Sequence, residues 1–204
     1  MLTFGRVTLR GLRRDDLPRL WAFNNDVDVE LAGGGAPPIP QSLDRLVADF
    51  DQDASRGGRD GARFAIEADG RFIGQCAIFN YNDYALTAEI GITIGDEDYL
   101  GKGYGREALH ALLHYGFVLR NIRKLFLTVN ATNERAIRAY QSCGFVLEGR
   151  WRGQTWNDGR YVDLLCMGVF APEWNAARDA YFAKLQATQQ GVPPAPDAPN
   201  TANA

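Results

Sequence analysis

Long apolar runs, histidine and cysteine are all scarce in this chain of 204 residues, and each scarcity removes a class of protein. No segment approaches the ~20 consecutive apolar residues of a membrane-spanning helix. The two histidines, His110 and His114, stand at i and i+4. A zincin would place Glu directly after the first, but position 111 is Ala and no third ligand follows, so no metal site is expected. Cys76, Cys143 and Cys166 are odd in number and widely spaced, which fits packed, reduced thiols in a cytoplasm and not a disulfide framework. The formal net charge of −3 offers no basic surface for a nucleic acid, and it leaves cationic substrates open. The opening Met-Leu-Thr-Phe-Gly-Arg has no signal-peptide pattern, and no internal repeat is present. The expectation is a cytoplasmic protein with neither a membrane nor a nucleic-acid partner.

What is present suffices for one domain with a core. Residues 3–10 read as a strand. Asp15 or Asp16 opens a helix with Pro18 in its first turn. Residues 24–40, rich in Gly and Pro toward their end, read as a loop, and a second helix starts at the cap Ser42 and ends before Gly57-Gly58. Residues 63–68 and 71–80 form a hairpin about Asp69-Gly70. Residues 86–94 form a strand whose alternation sets Ile90, Ile92 and Ile94 against Glu89, Gly91 and Thr93. After a glycine cluster, Leu109, Leu112, Leu113, Gly116 and Phe117 make one apolar helix stripe. Residues 124–130 form a strand and 133–143 a helix, with Gly144 as its C′ cap. Residues 145–151 and 160–170 form a last hairpin about Asn157-Asp158-Gly159, and Pro172 starts a final helix through about 186. The order implies an α/β fold with a mixed sheet, antiparallel strands first, then strand–helix–strand–helix. Residues 1–186 are one domain, and 187–204, rich in Gln, Ala and Pro, form a disordered tail.

The chemistry centres on Leu100-Gly-Lys-Gly-Tyr-Gly-Arg106. A strand, a glycine loop and a helix follow one another here. Glycines let backbone N–H groups close on an anion, and the helix start adds free donors and about half a positive charge. A Walker A loop would end in Gly-Lys-Ser/Thr, which is missing. The dinucleotide fingerprint would need an acidic residue ending a following strand, which is also missing. By itself the loop is either a pyrophosphate cradle or a glycine-rich turn into a helix.

Further motifs follow in order: Ala88-Glu-Ile-Gly91, Asn133-Glu-Arg-Ala-Ile-Arg-Ala-Tyr140, Cys143-Gly-Phe145 with Glu148-Gly149, and Asp158-Gly-Arg-Tyr-Val-Asp163 with Met167. Together with the loop, residues 89–167 resemble the GNAT superfamily of acetyl-CoA-dependent N-acetyltransferases. They are most similar to the branch of ribosomal-protein N-terminal and spermidine N-acetyltransferases. Leu100 departs from the Gln or Arg usual at the loop's first position, which removes a side-chain contact and leaves the backbone amides.

The resemblance implies a GNAT-like single domain: a mixed, mostly antiparallel central sheet flanked by helices. It implies acetyl-CoA as co-substrate, bound by Gly101, Lys102, Gly103, Tyr104, Gly105 and Arg106 and by the backbone of Ile92, Thr93 and Ile94, as a peptide pairs with a strand. Asn130 and Asn133 are implied to touch the coenzyme, though turn and N-cap duty suits Asn equally. Tyr140 is the candidate general acid for the departing thiolate, the alternative being plain packing beside Ile137. Glu89 is the candidate general base. An alkyl amine of pKa about 10.4 is only on the order of 0.1% neutral near pH 7.4, a penalty of about 4 kcal/mol, so such an acceptor needs a base. The alternatives for Glu89 are charge pairing with the substrate or simple solvation. Asp26, Asp28 and Glu30 form a carboxylate cluster that fits either a polyamine or a solvated loop. Trp151, Arg152, Trp156 and Arg160 line the acceptor site or brace the hairpin.

The implied reaction is transfer of acetyl from acetyl-CoA to a primary amine, by direct attack in a ternary complex. The acceptor is a protein N-terminus, a polyamine or another small amine. The competing readings are a non-catalytic acyl-CoA-binding module and a transferase using a longer acyl-CoA. The resemblance also admits a homodimer.

Overall fold

Alternation and turn chemistry lay out the front half of the sheet in the computed structural model, which describes residues 1–33, 39–56 and 61–189. The strand expected over 3–10 is two strands, β1 (Leu2–Phe4) and β2 (Val7–Arg10). Gly5, at φ +58°, reverses the chain, so Leu2 and Phe4 come to lie opposite Leu9 and Val7. α1 (Leu17–Asn24) follows, with Asp16 at its start. The Asp16 carboxylate accepts from the Arg13 N–H at 2.8 Å and from the buried Arg10 guanidinium at 2.7 and 2.9 Å.

The loop expected over 24–40 contains a helix, α2 (Val27–Gly33). Asp26 caps it: its Oδ1 accepts from the N–H groups of Asp28 and Val29 at 2.9 and 3.2 Å. Residues 34–38 of that loop lie outside the described residues. α3 (Leu43–Arg56) starts where Ser42 Oγ accepts from the Arg45 N–H at 3.2 Å, as its sequence predicts. The Gly57-Gly58 pair expected to end it also lies outside the described residues.

β3 (Gly61–Ala68) and β4 (Arg71–Asn82) turn at Asp69 and Gly70, both at positive φ. β5 (Thr87–Ile94), α4 (Tyr104–His114), β6 (Lys124–Asn130) and α5 (Glu134–Ser142) follow as expected. The apolar stripe of α4 continues through a wider turn at Tyr115–Leu119, which carries Gly116 and Phe117 into the core. β7 (Val146–Asn157) runs past its expected end at 151 through a register shift between Trp151 and Thr155, and pairs with β8 (Arg160–Phe170). α6 (Ala171–Gln189) takes in the first residues of the expected 187–204 tail; residues 190–204 lie outside the described residues.

Among the described residues the eight strands form one sheet, ordered β1-β2-β3-β4-β5-β6-β8-β7. β5 and β6 are its parallel pair; the other neighbours are antiparallel. α4 covers one face, burying Leu109, Leu112 and Leu113 against Ile78, Ile90 and Leu125. Each such side chain contributes about 1.5–3 kcal/mol. α6 closes over the back of α4 with a fully buried Trp174. On the opposite face, Leu17 and Leu20 of α1 and Leu46 of α3 pack on Ala65 and Phe72. Among the described residues no helix is long and apolar enough to cross a membrane.

Candidate active site

The parallel pair is short. Thr87, Ala88 and Glu89 of β5 stand opposite Lys124, Leu125 and Phe126 of β6, and there the pairing ends. β5 continues to Ile94, paired with β4 as far as Gly74–Ile94. From Ile90 onward the edge of β5 turned away from β4 therefore has no strand partner. Every second residue presents its N–H and C=O on that edge, into a wedge-shaped gap between the two strands.

The glycine loop lies at the wide end of this gap. The Gly105 Cα stands beside Ile94, with room for a Cβ 3.7 Å from the Ile94 Cγ1. Gly101 and Gly103 sit at φ +71° and +92°, a conformation that L side chains rarely adopt. Gly103 is the N-cap of α4; its carbonyl accepts from the N–H groups of Arg106 and Glu107. Leu100 at φ −71°, ψ 144° and Gly101 at φ +71° form a turn into α4, and the first N–H groups of that helix have no carbonyl of their own helix to bond. The segment singled out by sequence thus enters a helix at Gly103, with the Arg106 side chain in the first turn.

α5 brings Tyr140 to the same face of the sheet. Asn133 caps this helix, accepting from the Ala136 N–H at 3.1 Å, and Tyr140 packs against Phe145 at 5.7 Å between ring centres. Cys143, one turn on, lies with its Sγ 3.9 Å from the Arg106 carbonyl, so α5 is seated on the first turn of α4. Tyr140 is 8% exposed, and its hydroxyl has no hydrogen-bond partner among the described residues. Burial pushes its phenol up to about 12, with the Cys143 thiol adding to the shift; burial likewise pushes Cys143 up to about 12.

Glu89 sits at the vertex, the last residue of β5 paired with β6. Alternation puts it on the opposite face from Ala88 and Ile90, and hence from Tyr140. Asn80, at φ +52° in an irregular stretch of β4, donates from Nδ2 to Glu89 Oε2 at 2.8 Å. Across β6 on this face lies Cys166, half-buried; burial and the nearby Glu148 and Glu89 carboxylates push its thiol up. Glu148 itself pairs with Lys124 at 2.7 Å.

α2 roofs this second face, and its last carbonyls are held by three asparagines. Asn130 and Asn157 donate to the Leu31 carbonyl at 3.3 and 2.7 Å, and Asn133 to the Ala32 carbonyl at 2.8 Å. Asn130 also accepts from Thr155 Oγ1 at 3.1 Å. The side chains of Asn130 and Asn133, expected to face the coenzyme, are both engaged within the protein, because the last turn of a helix offers carbonyls that an amide can satisfy. Asn157 was legible only as part of a turn, and Asn80 carried no signal beyond being polar within a strand.

Of the other residues singled out by sequence, His110 is a core residue. It accepts from Trp174 Nε1 at its Nδ1, 3.3 Å, and stacks on Phe4. Cys76 is fully buried among β4 neighbours, and its thiol is pushed up by burial. Trp156 packs edge-on against Tyr161 at 4.9 Å, bracing the hairpin, while Trp151 is half-exposed.

A parallel pair that parts beside a glycine cradle, with a buried phenol on one face and a carboxylate at the vertex, defines an acyl-CoA-dependent N-acetyltransferase. Residues 6–146 match the family described as acetyltransferase (GNAT) domain, and the chain belongs to that family. It is 29% identical over 175 residues to the spermidine N(1)-acetyltransferase of Escherichia coli K12, covering 83% of this chain and 89% of the relative. The Vibrio cholerae spermidine N(1)-acetyltransferase is likewise 29% identical, over 83% of this chain and 95% of the relative. The crystal structure of Vibrio cholerae spermidine N-acetyltransferase in complex with CoA and spermine superposes with a TM-score of 0.75 at 28% identity, covering 83% of this chain and 98% of that one.

Proposed function

We propose that the chain acetylates a primary amine of a polyamine, with the coenzyme and the amine meeting in the gap between β5 and β6. The observation that carries this is the parting of the strands after Glu89–Phe126 beside the glycine-rich start of α4 at Gly103–Gly105. The free edge of β5 at Ile92–Ile94 pairs with the pantetheine arm as a peptide would, and one of its N–H groups polarises the thioester carbonyl. The cradle takes the pyrophosphate.

The acceptor enters over the face that carries Glu89. The Glu89 carboxylate on that face suits a cationic amine, and the two relatives described above are spermidine acetyltransferases. Glu89 receives the amine proton, directly or through water. The amine nitrogen attacks the thioester carbon, the C–S bond breaks, and the departing thiolate takes its proton from Tyr140. In free solution a phenol at 12 would be a poor donor to a thiolate of ordinary pKa near 8.5. The same burial that raises Tyr140 raises a thiol beside it, as Cys143 shows, so the pair is matched again inside the site.

The test is an acceptor screen following CoA release, with polyamines and amino-terminal peptides side by side. Spermidine or spermine should turn over, and Glu89→Gln should lower kcat for it about tenfold or more, with the loss shrinking as pH rises and the amine deprotonates unaided. Turnover of peptides alone would exclude the polyamine reading. Acetyl-CoA binding without CoA release from any amine would favour a non-catalytic module.

A further inference from the structure

The Gly103 amide lies in the middle of the cradle, and its direction is set by a residue nearly a hundred positions away. Arg6, in the turn between β1 and β2, donates from Nη2 to the Lys102 carbonyl at 2.9 Å. In a trans peptide the C=O of one residue and the N–H of the next point in opposite directions. Holding the Lys102 carbonyl toward Arg6 therefore turns the Gly103 N–H away from it, to the opposite side of the loop.

Arg6 is itself locked. Its Nε and Nη2 donate to Glu107 Oε1 at 3.0 and 2.6 Å, and its backbone N–H donates to Glu107 Oε2 at 2.7 Å. Glu107 belongs to the first turn of α4 and is 3% exposed. The Tyr181 hydroxyl of α6 donates to the same Oε1 at 3.1 Å. The guanidinium lies over the Tyr104 ring, 4.1 Å from its centre. Close approach leaves no slack: a Cβ on Gly5 would fall 2.6 Å from Glu107 Oε2, and one on Gly103 would fall 3.3 Å from Arg6 Nη2. The pairing also neutralises the buried Glu107 carboxylate. Arg6 Nη1 has no partner among the described residues, on a side chain that is half-exposed beside Lys102 and Arg106.

We infer that Arg6 is a positioning residue for the coenzyme's pyrophosphate, acting through the Lys102 carbonyl on the Gly103 amide. This rests on the reading of residues 101–105 as a pyrophosphate cradle. The fork is what matters, because one group must reach Glu107 and Lys102 together. Arg6→Lys keeps a cation for Glu107 but cannot span both partners.

The experiment compares acetyl-CoA with S-acetylpantetheine, which lacks the pyrophosphate, as donors for the same acceptor. In the wild-type protein kcat/KM should favour acetyl-CoA by more than tenfold. Arg6→Lys should lower that preference roughly tenfold, through the KM for acetyl-CoA and not through kcat. A general folding defect would depress both donors alike and leave the preference unchanged, and that result overturns the inference. If Arg6→Lys does not fold, the double variant Arg6→Met/Glu107→Gln, which removes both charges together, takes its place: a lowered preference supports the role of Arg6, and an unchanged one overturns it. A wild-type protein indifferent between the two donors would instead remove the cradle reading itself, and the role of Arg6 with it.

Discussion

Tyr140 of α5 and Cys143 at the C-cap of that helix stand one turn apart, and one patch of burial holds both protonated, each pushed up to about 12. With its pKa there, the Tyr140 phenol remains a proton donor across the range in which an amine acceptor loses its charge. Rate against pH should therefore rise from 7 toward 10 with no alkaline fall from loss of the acid below about pH 11. Tyr140→Phe should lower kcat by about 10²-fold or more while leaving the KM for acetyl-CoA within twofold. An unchanged kcat would make the ring a packing element of α5 and nothing more.

Gly74 fits β4 against β5 where no side chain could. A Cβ there would lie 2.1 Å from the Thr93 carbonyl oxygen, so Gly74→Ala must push apart strands at the end of β5 that faces the gap. The expected cost is about 2–3 kcal/mol of stability, read as a lower urea midpoint. The KM for acetyl-CoA should rise as well, because Thr93 and Ile94 shift with the strand. Loss of stability with unchanged KM would separate β5 from coenzyme binding.

His110 should make the protein sensitive to mild acid. Burial, followed by the positive charges of Arg106 and Arg178, lowers it from 6.5 to about 4. Between those values the unfolded chain binds a proton that the folded chain does not, so stability present above pH 6.5 is lost as pH falls toward 4. The loss is about 3 kcal/mol for this wholly enclosed ring. Urea melts at pH 7 and pH 4.5 check it, and His110→Phe should flatten the difference. An equal slope in the variant would assign the acid sensitivity to other groups.

Asn157 tests whether α2 belongs to the acceptor side. Its Nδ2 donates to the Leu31 carbonyl at 2.7 Å, from a strand on the far side of β8. Asn157→Ala loosens the last turn of α2 and should raise the acceptor KM about threefold to tenfold. Calorimetric affinity for CoA should not change. A weakened CoA affinity would place α2 against the coenzyme instead.

Much of this was legible in the sequence where the signal is local. Asp69-Gly70 marks its turn, Ser42 and Asn133 mark their helices, and the apolar stripe of α4 needs only its own residues. The β1–β2 hairpin was missed because two very short strands on either side of Gly5 read as one alternating run. α2 was missed because Asp26, its cap, also looked like part of a solvated acidic loop. The parting of β5 from β6 could not be read at all, since each strand alternates normally and the gap is a relation between them. Arg6 and Glu107 meet across 101 residues, so neither carries a signal of the other. Asn133 caps α5 as its residue type suggests, and the carbonyls that Asn130 and Asn133 satisfy belong to α2, a helix that reads as loop in the sequence.

The stacking of Phe4 on His110, and its contact with Phe182 at 5.0 Å, bring the first strand and the last helix together. The described chain is thereby closed on itself like a ring with a clasp, and the clasp sits behind the helix that carries the cradle. Residues 171–189 fall beyond the 6–146 stretch that matches the family, yet Trp174 is among the most deeply buried side chains in the protein. A boundary drawn at the edge of the matched segment would cut through the folding unit. Joining the strand end to the helix end and opening the chain at a surface turn would preserve that unit, with every packed layer still in register.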